Sequence, residues 1–311
     1  MEKKKLLFIF NPRSGKGQIK NRLMDILDIF VKSGYEVTVH PTQKQNDARD
    51  IVTEEAGSYD LVICCGGDGT LDEVVSGMMS REVKIPVGYI PSGSTNDFAQ
   101  SLKIPKNMLK AADIAVNGPL FSCDIGTFND DYFVYIAAFG LFTDVSYQTS
   151  QNLKNVLGHG AYLLEGAKRL VDVPSYVMEV TVGEQVIRDE FVYGMITNSI
   201  SVGGIKNMTG RDVKLDDGLF EVNLIRMPQN PLQLNEILTN LVRPKPIETP
   251  YIYSFKTDHL ILRCDSQEIP WTLDGEFGGN HHQVEIFNRQ KALELKVKGK
   301  MENSDLYRVF Y

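Results

Sequence analysis

Five apolar residues in a row, Leu61-Val62-Ile63-Cys64-Cys65, run directly into Gly66-Gly67-Asp68-Gly69-Thr70, after which Leu71, Val74, Val75 and Met78 recur at helical spacing. A short continuous apolar run ending in glycines reads as a strand buried on both faces, and apolar residues three and four apart read as a helix with one inward side. The flanks repeat this unit. Leu6-Leu7-Phe8-Ile9-Phe10 is another apolar strand, and Ile19, Leu23, Ile26, Leu27, Phe30 and Val31 then follow at helical spacing until Gly34 stops them. Residues 35–40 and 86–90 read as further strands and 47–56 as a helix. Strand, helix, strand, helix implies a parallel sheet covered on both faces.

Beyond about residue 123 the rhythm changes. Residues 176–182, 186–197, 219–226, 251–263 and 284–287 read as strands separated by turn residues, an antiparallel pattern, with helical stretches at about 153–171 and 232–242. Near the end Leu293, Leu295 and Val297 alternate with Glu294 and Lys296, a half-buried strand that closes the fold. At 311 residues, two domains are the natural count. We place them at 1–127 and 128–290, with the chain end, about 291–311, packing back on the first.

Charge and apolar runs narrow the function classes. Lys+Arg 33 against Asp+Glu 40 gives a net charge of −7, which disfavours duplex nucleic acid as a partner but leaves room for one local anion-binding loop. The longest apolar runs, 6–10 and 134–142, fall far short of the ~18–20 residues that span a bilayer. Met1-Glu2-Lys3-Lys4-Lys5 ahead of the first run mimics a leader, but the run is too short and meets Asn11-Pro12, so we expect a cytoplasmic protein. Cys64, Cys65, Cys123 and Cys264 show no CxxC spacing and read as reduced core residues.

Three small-residue segments follow three predicted parallel strands, and in an open α/β sheet those strand ends share the edge where ligands bind. The first is Asn11-Pro12-Arg13-Ser14-Gly15-Lys16-Gly17, which has the position of a phosphate loop without Walker spacing and, taken alone, reads first as a polar strand-to-helix turn. The second, Gly66–Thr70, offers unhindered amides at a helix start. Asp68 within it would meet a cation, orient a hydroxyl or bind a sugar hydroxyl, and otherwise simply caps the helix. The third is Pro91-Ser92-Gly93-Ser94-Thr95-Asn96-Asp97, rich in hydroxyls and helix-capping residues.

Taken in order, Asn11-Pro-x-Ser-Gly-Lys, Gly66-Gly-Asp-Gly-Thr-Leu, Pro91-Ser-Gly-Ser-Thr-Asn-Asp-Phe-Ala and Leu273-Asp-Gly-Glu276 resemble the diacylglycerol-kinase catalytic family, most closely its soluble bacterial lipid-kinase branch. The Gly-Gly-Asp-Gly-Thr element is shared with NAD kinases and, more loosely, with phosphofructokinases. The resemblance implies a fold of α/β plus β class, with an N-terminal Rossmann-like or phosphofructokinase-like α/β domain and a C-terminal antiparallel β-sandwich carrying a few helices. It places the site in the cleft between them. It implies transfer of the γ-phosphoryl of ATP, with Mg²⁺, to a lipid alcohol, foremost diacylglycerol, giving phosphatidic acid. Asn11, Pro12, Arg13, Ser14, Gly15, Thr42, Gly66, Gly67, Asp68, Gly69, Thr70, Leu71, Asp72 and Thr95 would then line the nucleotide site. Asp68, Asp97 and Asp124 fall where the family keeps acids around the phosphates, Glu276 matches its general base, and Asp274 is the carboxylate beside it.

Lys214-Leu215-Asp216-Asp217-Gly218-Leu219 resembles the family's structural Mg²⁺ loop, with Asp217 and the Leu219 carbonyl as ligands; at Lys214 only the carbonyl can contribute. Asp72 stands where the family usually has Asn, and Ser94 where it usually has Thr. Taken without the resemblance, Asp274-Gly275-Glu276 and the segment around Gly218 are hairpin turns. His281 and His282 are strand neighbours facing opposite ways and do not suit one ion, and residues 139–142 read as core or as an acyl-chain groove. The resemblance also implies transient contact with the inner face of the membrane, where Lys3-Lys4-Lys5 would meet anionic headgroups, and it admits a homodimer. Two alternatives stand beside this reading: an NAD kinase-like phosphotransferase, and a non-catalytic lipid- or nucleotide-sensing module on the same fold.

Overall fold

The computed structural model describes residues 3–140, 174–202, 205–206, 213–242 and 249–299. The helical stretch expected at 153–171, residues 141–142 and the chain end from 300 lie outside them.

The chain divides into two compact units, one made of Met1–Ile125, Lys214–Asp217 and Arg289–Tyr311, the other of Gly126–Val213 and Gly218–Asn288. In the first, β1 (Lys4–Phe10), β2 (Tyr35–Pro41), β3 (Leu61–Gly66) and β4 (Val87–Pro91) form a parallel sheet in the order β2-β1-β3-β4. Helices α1 (Leu23–Lys32), α2 (Asp47–Glu55) and α3 (Asp68–Met79) make the connections; short α4 (Asp97–Ser101), α5 (Met108–Asn117) and β5 (Leu120–Phe128) follow. Every residue of β3 and β4 is buried, as the continuous apolar runs require of strands covered on both sides.

One helix differs from expectation. The apolar spacing from Ile19 predicts a single helix, whereas Ser14–Asn21 is a 3-10 stretch and α1 begins only at Leu23. Gly15 and Gly17 sit at φ +55° and +70°, so the chain leaves β1 in a left-handed path that no α-helix can absorb. Gly34, at φ +91°, ends α1 as its position suggested.

The second unit is antiparallel. It contains β6 (Asp131–Phe133), β7 (Ile136–Gly140), β8 (Tyr176–Val182), β9 (Gln185–Thr197) and a short pair, β10 (Ser201–Val202) with β11 (Ile205–Lys206). After these come β12 (Phe220–Arg226), helix α6 (Pro231–Val242), β13 (Ile252–Thr257), β14 (His259–Arg263), β15 (Ile269–Leu273), β16 (Glu276–His281) and β17 (Gln283–Lys296). The order runs β16-β15-β7-β9-β8-β14-β17, with β12 pairing both β9 and β13. Residues 251–263, expected as one strand, are two, broken around Asp258 because β13 pairs with β12 while β14 pairs with β8 and β17. Trp271 anchors the core, its ring centroid 5.0 Å from that of Phe128 and 4.9 Å from that of Phe139. The last eight residues of β17, Arg289–Lys296, belong to the first unit, where Leu295 pairs with Val87 of β4.

All four cysteines are free and buried. Burial, with Cys65 and Glu73 nearby, pushes the Cys64 thiol well up, and burial with Asp124 and Asp216 does the same to Cys123. Burial lifts Cys65 to about 12 despite a hydrogen bond with Ser92. An unfolded thiol loses its proton near 8.5, whereas these keep theirs when folded, so stability is full below that pH and is lost as pH rises towards the native values. We expect the unfolding free energy, and with it the urea midpoint, to fall between pH 8.5 and 10, the free energy by up to about 1.4 kcal/mol per thiol per pH unit. A midpoint flat across that interval would show that the native thiols ionise as readily as the unfolded ones.

Candidate active site

The glycine-rich element after β3 is barely a loop. Gly66 ends the strand, Gly67 alone lies between, and α3 starts at Asp68. Gly66 must lack a side chain because Thr70, one turn into the helix, lies over it; a Cβ there would meet the Thr70 Cβ at 2.4 Å. The amides of the first helical turn are therefore presented at the strand end without side chains before them, and the twelve-residue helix adds its positive end.

The other two segments lock onto this turn. The Asn11 amide donates to the Cys65 carbonyl at 2.9 Å, and the Asn11 side-chain amide reaches the Thr70 hydroxyl at 3.5 Å. Asn11 also accepts from the Arg13 amide at 2.9 Å, which folds the chain into the turn carrying Ser14 and Gly15. A Cβ on Gly15 would lie 1.8 Å from the Ser92 carbonyl oxygen, so the first segment rests directly on the third. Ser92 in turn donates its amide to Gly66 at 2.8 Å, and a Cβ on Gly93 would lie 2.6 Å from the Gly67 Cα. The Asp97 amide donates to the Asp68 carboxylate at 3.3 Å. Thr42, at the exit of β2, donates its amide to Phe10 at 2.9 Å, which sets it beside the exit of β1.

Asn11 to Gly15, Thr42, Gly66 to Asp72, Thr95 and Asp97 thus gather at the carboxyl ends of β1 to β4. Three of their side chains are buried, Thr70 at 8% exposure among them. Leu71 is 1% exposed and its side chain belongs to the core, while Asp97 is 2% exposed. Ser14, Thr42 and Thr95 are half-buried, and Arg13 is an exposed cation at the same edge. Amides, hydroxyls, a helix start and one guanidinium are the donor set that a polyphosphate requires.

Asp124 lies with a different segment. Its carboxylate accepts from the Lys291 amide at 2.7 Å and its amide donates to the Leu215 carbonyl at 2.8 Å, tying it to the strip that carries Lys214, Asp216 and Asp217. Gln290 donates to the Asp216 carbonyl at 3.3 Å, and Gly218 takes φ +81°. Among the described residues, no group of three or more His, Cys, Asp or Glu side chains comes together as a metal site. Mg²⁺ keeps several of its waters, so one carboxylate helped by carbonyls fits this ion better than a cage of side chains.

In the second unit Leu273 and Glu276 face each other across the β15–β16 hairpin, and Asp274 and Gly275 form its turn at φ +51° and +93°. Two successive left-handed residues match the backbone twist of paired strands, which is why Asp-Gly occurs here. Asp274 is 4% exposed, and its carboxylate accepts from the amides of Val134, Tyr135 and Ile136, the latter two at 2.9 Å. Its own amide donates to Ile136 at 2.9 Å. Glu276 is exposed on the hairpin that this carboxylate anchors. His281 meets the Gly278 carbonyl and His282 the Cys264 carbonyl, two different backbone partners.

Two contributors had no role assigned from sequence: Tyr89, which lay outside every motif, and Asn96, which lay within the third segment. The only sequence signal was a lone phenol in an otherwise apolar strand, which must find a hydrogen-bond partner once buried.

Comparison with known proteins bears on the family and the fold. The family profile described as "Diacylglycerol kinase catalytic domain" matches residues 5–128. A diacylglycerol kinase of Staphylococcus carnosus (strain TM300) is 32% identical over 306 residues, 98% of each chain. One of Bacillus subtilis (strain 168) is 34% identical over 278 residues, 89% of this chain and 91% of the other. Among solved structures, a diacylglycerol kinase from Bacillus anthracis str. Sterne matches with a TM-score of 0.74 at 22% identity, covering 96% of this chain and 98% of that one, a likeness of fold. Glycine turns, fold and relatives together define a lipid kinase, a class that uses ATP. The chain belongs to the diacylglycerol kinase catalytic family. No helix among the described residues is long and apolar enough to cross a membrane.

Proposed function

We propose that this protein transfers the γ-phosphoryl of ATP to the hydroxyl of diacylglycerol, giving phosphatidic acid. The interlocked turns at one strand edge, where Gly15 rests on Ser92 and Gly93 on Gly67, carry the nucleotide half of this reading. The names of the full-length relatives from Staphylococcus and Bacillus support the acceptor.

Phosphoryl transfer asks a protein mainly for positioning and charge neutralisation. In this reading the first unit binds nucleotide and the second binds lipid. The amides of Gly67 to Thr70 hold the phosphates, with hydroxyls of Ser14, Thr42 and Thr95 and the Arg13 guanidinium around them. Asp68 and Asp97 orient the polar groups about the phosphates, while Asp124, tied to the 214–217 strip, supports the loop of the structural ion. Mg²⁺, when bound, would offset phosphate charge; Asp217 would hold a structural ion by its carboxylate, and Lys214 and Leu219 by their carbonyls. Glu276 takes the proton from the acceptor hydroxyl, and its exposed hairpin can meet a bulky lipid. A diacylglycerol acceptor requires transient visits to the inner face of the membrane, with the protein otherwise cytoplasmic, and a homodimer is compatible with the scheme.

Incubation of the protein with labelled ATP and Mg²⁺, in parallel with dispersed diacylglycerol, NAD and a total lipid extract, tests the reading. Label in phosphatidic acid is the expected result. Label in NAD would place the chain among phosphotransferases of the other kind, nucleotide binding without turnover on any lipid would make it a sensing module, and label in a sphingoid base or polyprenol phosphate alone would reassign the acceptor.

A further inference from the structure

The nucleotide turns share one internal support. Tyr89 sits in β4 at 1% exposure, and a phenol that deep needs a partner for its single proton. Its hydroxyl lies 3.3 Å from the Gly66 carbonyl and 3.4 Å from the Asn96 side-chain oxygen. Gly66 is the last residue of β3, one before the bare turn, and Asn96 caps α4. The phenol therefore touches both segments whose glycine backbones meet above it.

Asn96 holds its own segment closed. It stands at φ 51°, ψ 53°, a left-handed conformation that glycine adopts more cheaply. What glycine lacks is the side-chain amide, which accepts from the Gly93 amide at 2.9 Å and donates to the Gly93 carbonyl at 2.8 Å. This pair of hydrogen bonds closes residues 93 to 96 into a ring and leaves the next amide, that of Asp97, aimed at the Asp68 carboxylate.

We infer that Tyr89 and Asn96 are positioning residues for the nucleotide phosphates: the phenol and the closed ring together set the spacing between the Gly66-Gly67 turn and the Gly93 turn. This rests on the reading of those turns as the ATP site. Neither side chain need touch ATP; each acts through the amides it holds in place.

Tyr89→Phe removes one oxygen and keeps the buried ring, and Asn96→Gly keeps the left-handed backbone while opening the ring. ATP affinity measured by calorimetry without lipid should weaken about fivefold in the first, the equivalent of one hydrogen bond at ~1 kcal/mol, and at least about tenfold in the second. The KM for lipid and the thermal midpoint of Tyr89→Phe should stay close to the parent's. Parent-like ATP affinity in both variants would overturn the inference, as would a lowered midpoint in Tyr89→Phe with ATP affinity intact, the signature of a purely structural phenol. Gly67→Leu, which fills the turn itself, separates the two levels. If it abolishes ATP binding while the other two variants bind normally, only the positioning role fails. If it too binds ATP normally, the nucleotide-site reading fails and this inference with it.

Discussion

Glu276→Gln is expected to lower lipid phosphorylation by about 10²–10⁴-fold while ATP binding remains that of the parent. Glutamine preserves the shape and the hydrogen-bonding reach of the side chain but cannot accept the hydroxyl proton as the phosphoryl group arrives. The residue is exposed at the start of β16, so the substitution leaves no buried group unpaired and the fold has no reason to suffer. A split between binding and turnover is therefore the informative outcome. Single-turnover assays with labelled ATP measure the chemical step, and calorimetry measures the nucleotide. Full turnover in this variant would remove Glu276 from the role of base, whatever the rest of the fold does.

Asp274→Ala acts two residues away and in the opposite manner. We expect it to destabilise the second unit by about 3–9 kcal/mol, because three buried amides lose their acceptor at ~1–3 kcal/mol each. That is a large part of what holds an ordinary domain together. Alanine at φ +51° adds strain to the same turn. Asp274→Asn keeps one acceptor oxygen and should cost less. Chemical denaturation followed by Trp271 fluorescence reads the effect directly, since that ring lies in the core of the same unit. An unchanged midpoint in Asp274→Ala would mean that the amides of Val134 to Ile136 find other partners. Should the anchor matter as described, turnover would fall as well, through disorder of the hairpin that presents Glu276.

How far the sequence could lead depended on the range of the forces involved. The parallel sheet was legible because β3 and β4 are buried on both faces, and burial of that kind leaves an uninterrupted apolar run. The Gly66–Thr70 element was legible as a ligand turn because several glycines in succession have few other uses. Its compactness was hidden, since Thr70 lying over Gly66 is a packing fact that spacing does not encode. The break in 251–263 was also hidden, because β13 and β14 differ in their partners and not in their residue types. Asp274 shows the limit best. Asp-Gly announces a hairpin, but the amides that its carboxylate holds come from about 140 residues earlier in the chain, and nothing local marks them.

The outer edge of β4 pairs in parallel with the end of β17, about 200 residues further along the chain. On a ribosome the first four strands emerge close together, yet the bare flank of β4 must wait until about 200 further residues have been made. Such an unpaired edge invites association with other nascent chains. Synthesis halted before residue 289 would leave the sheet unsealed, so messages cut short in that interval should yield aggregates rather than a smaller working enzyme.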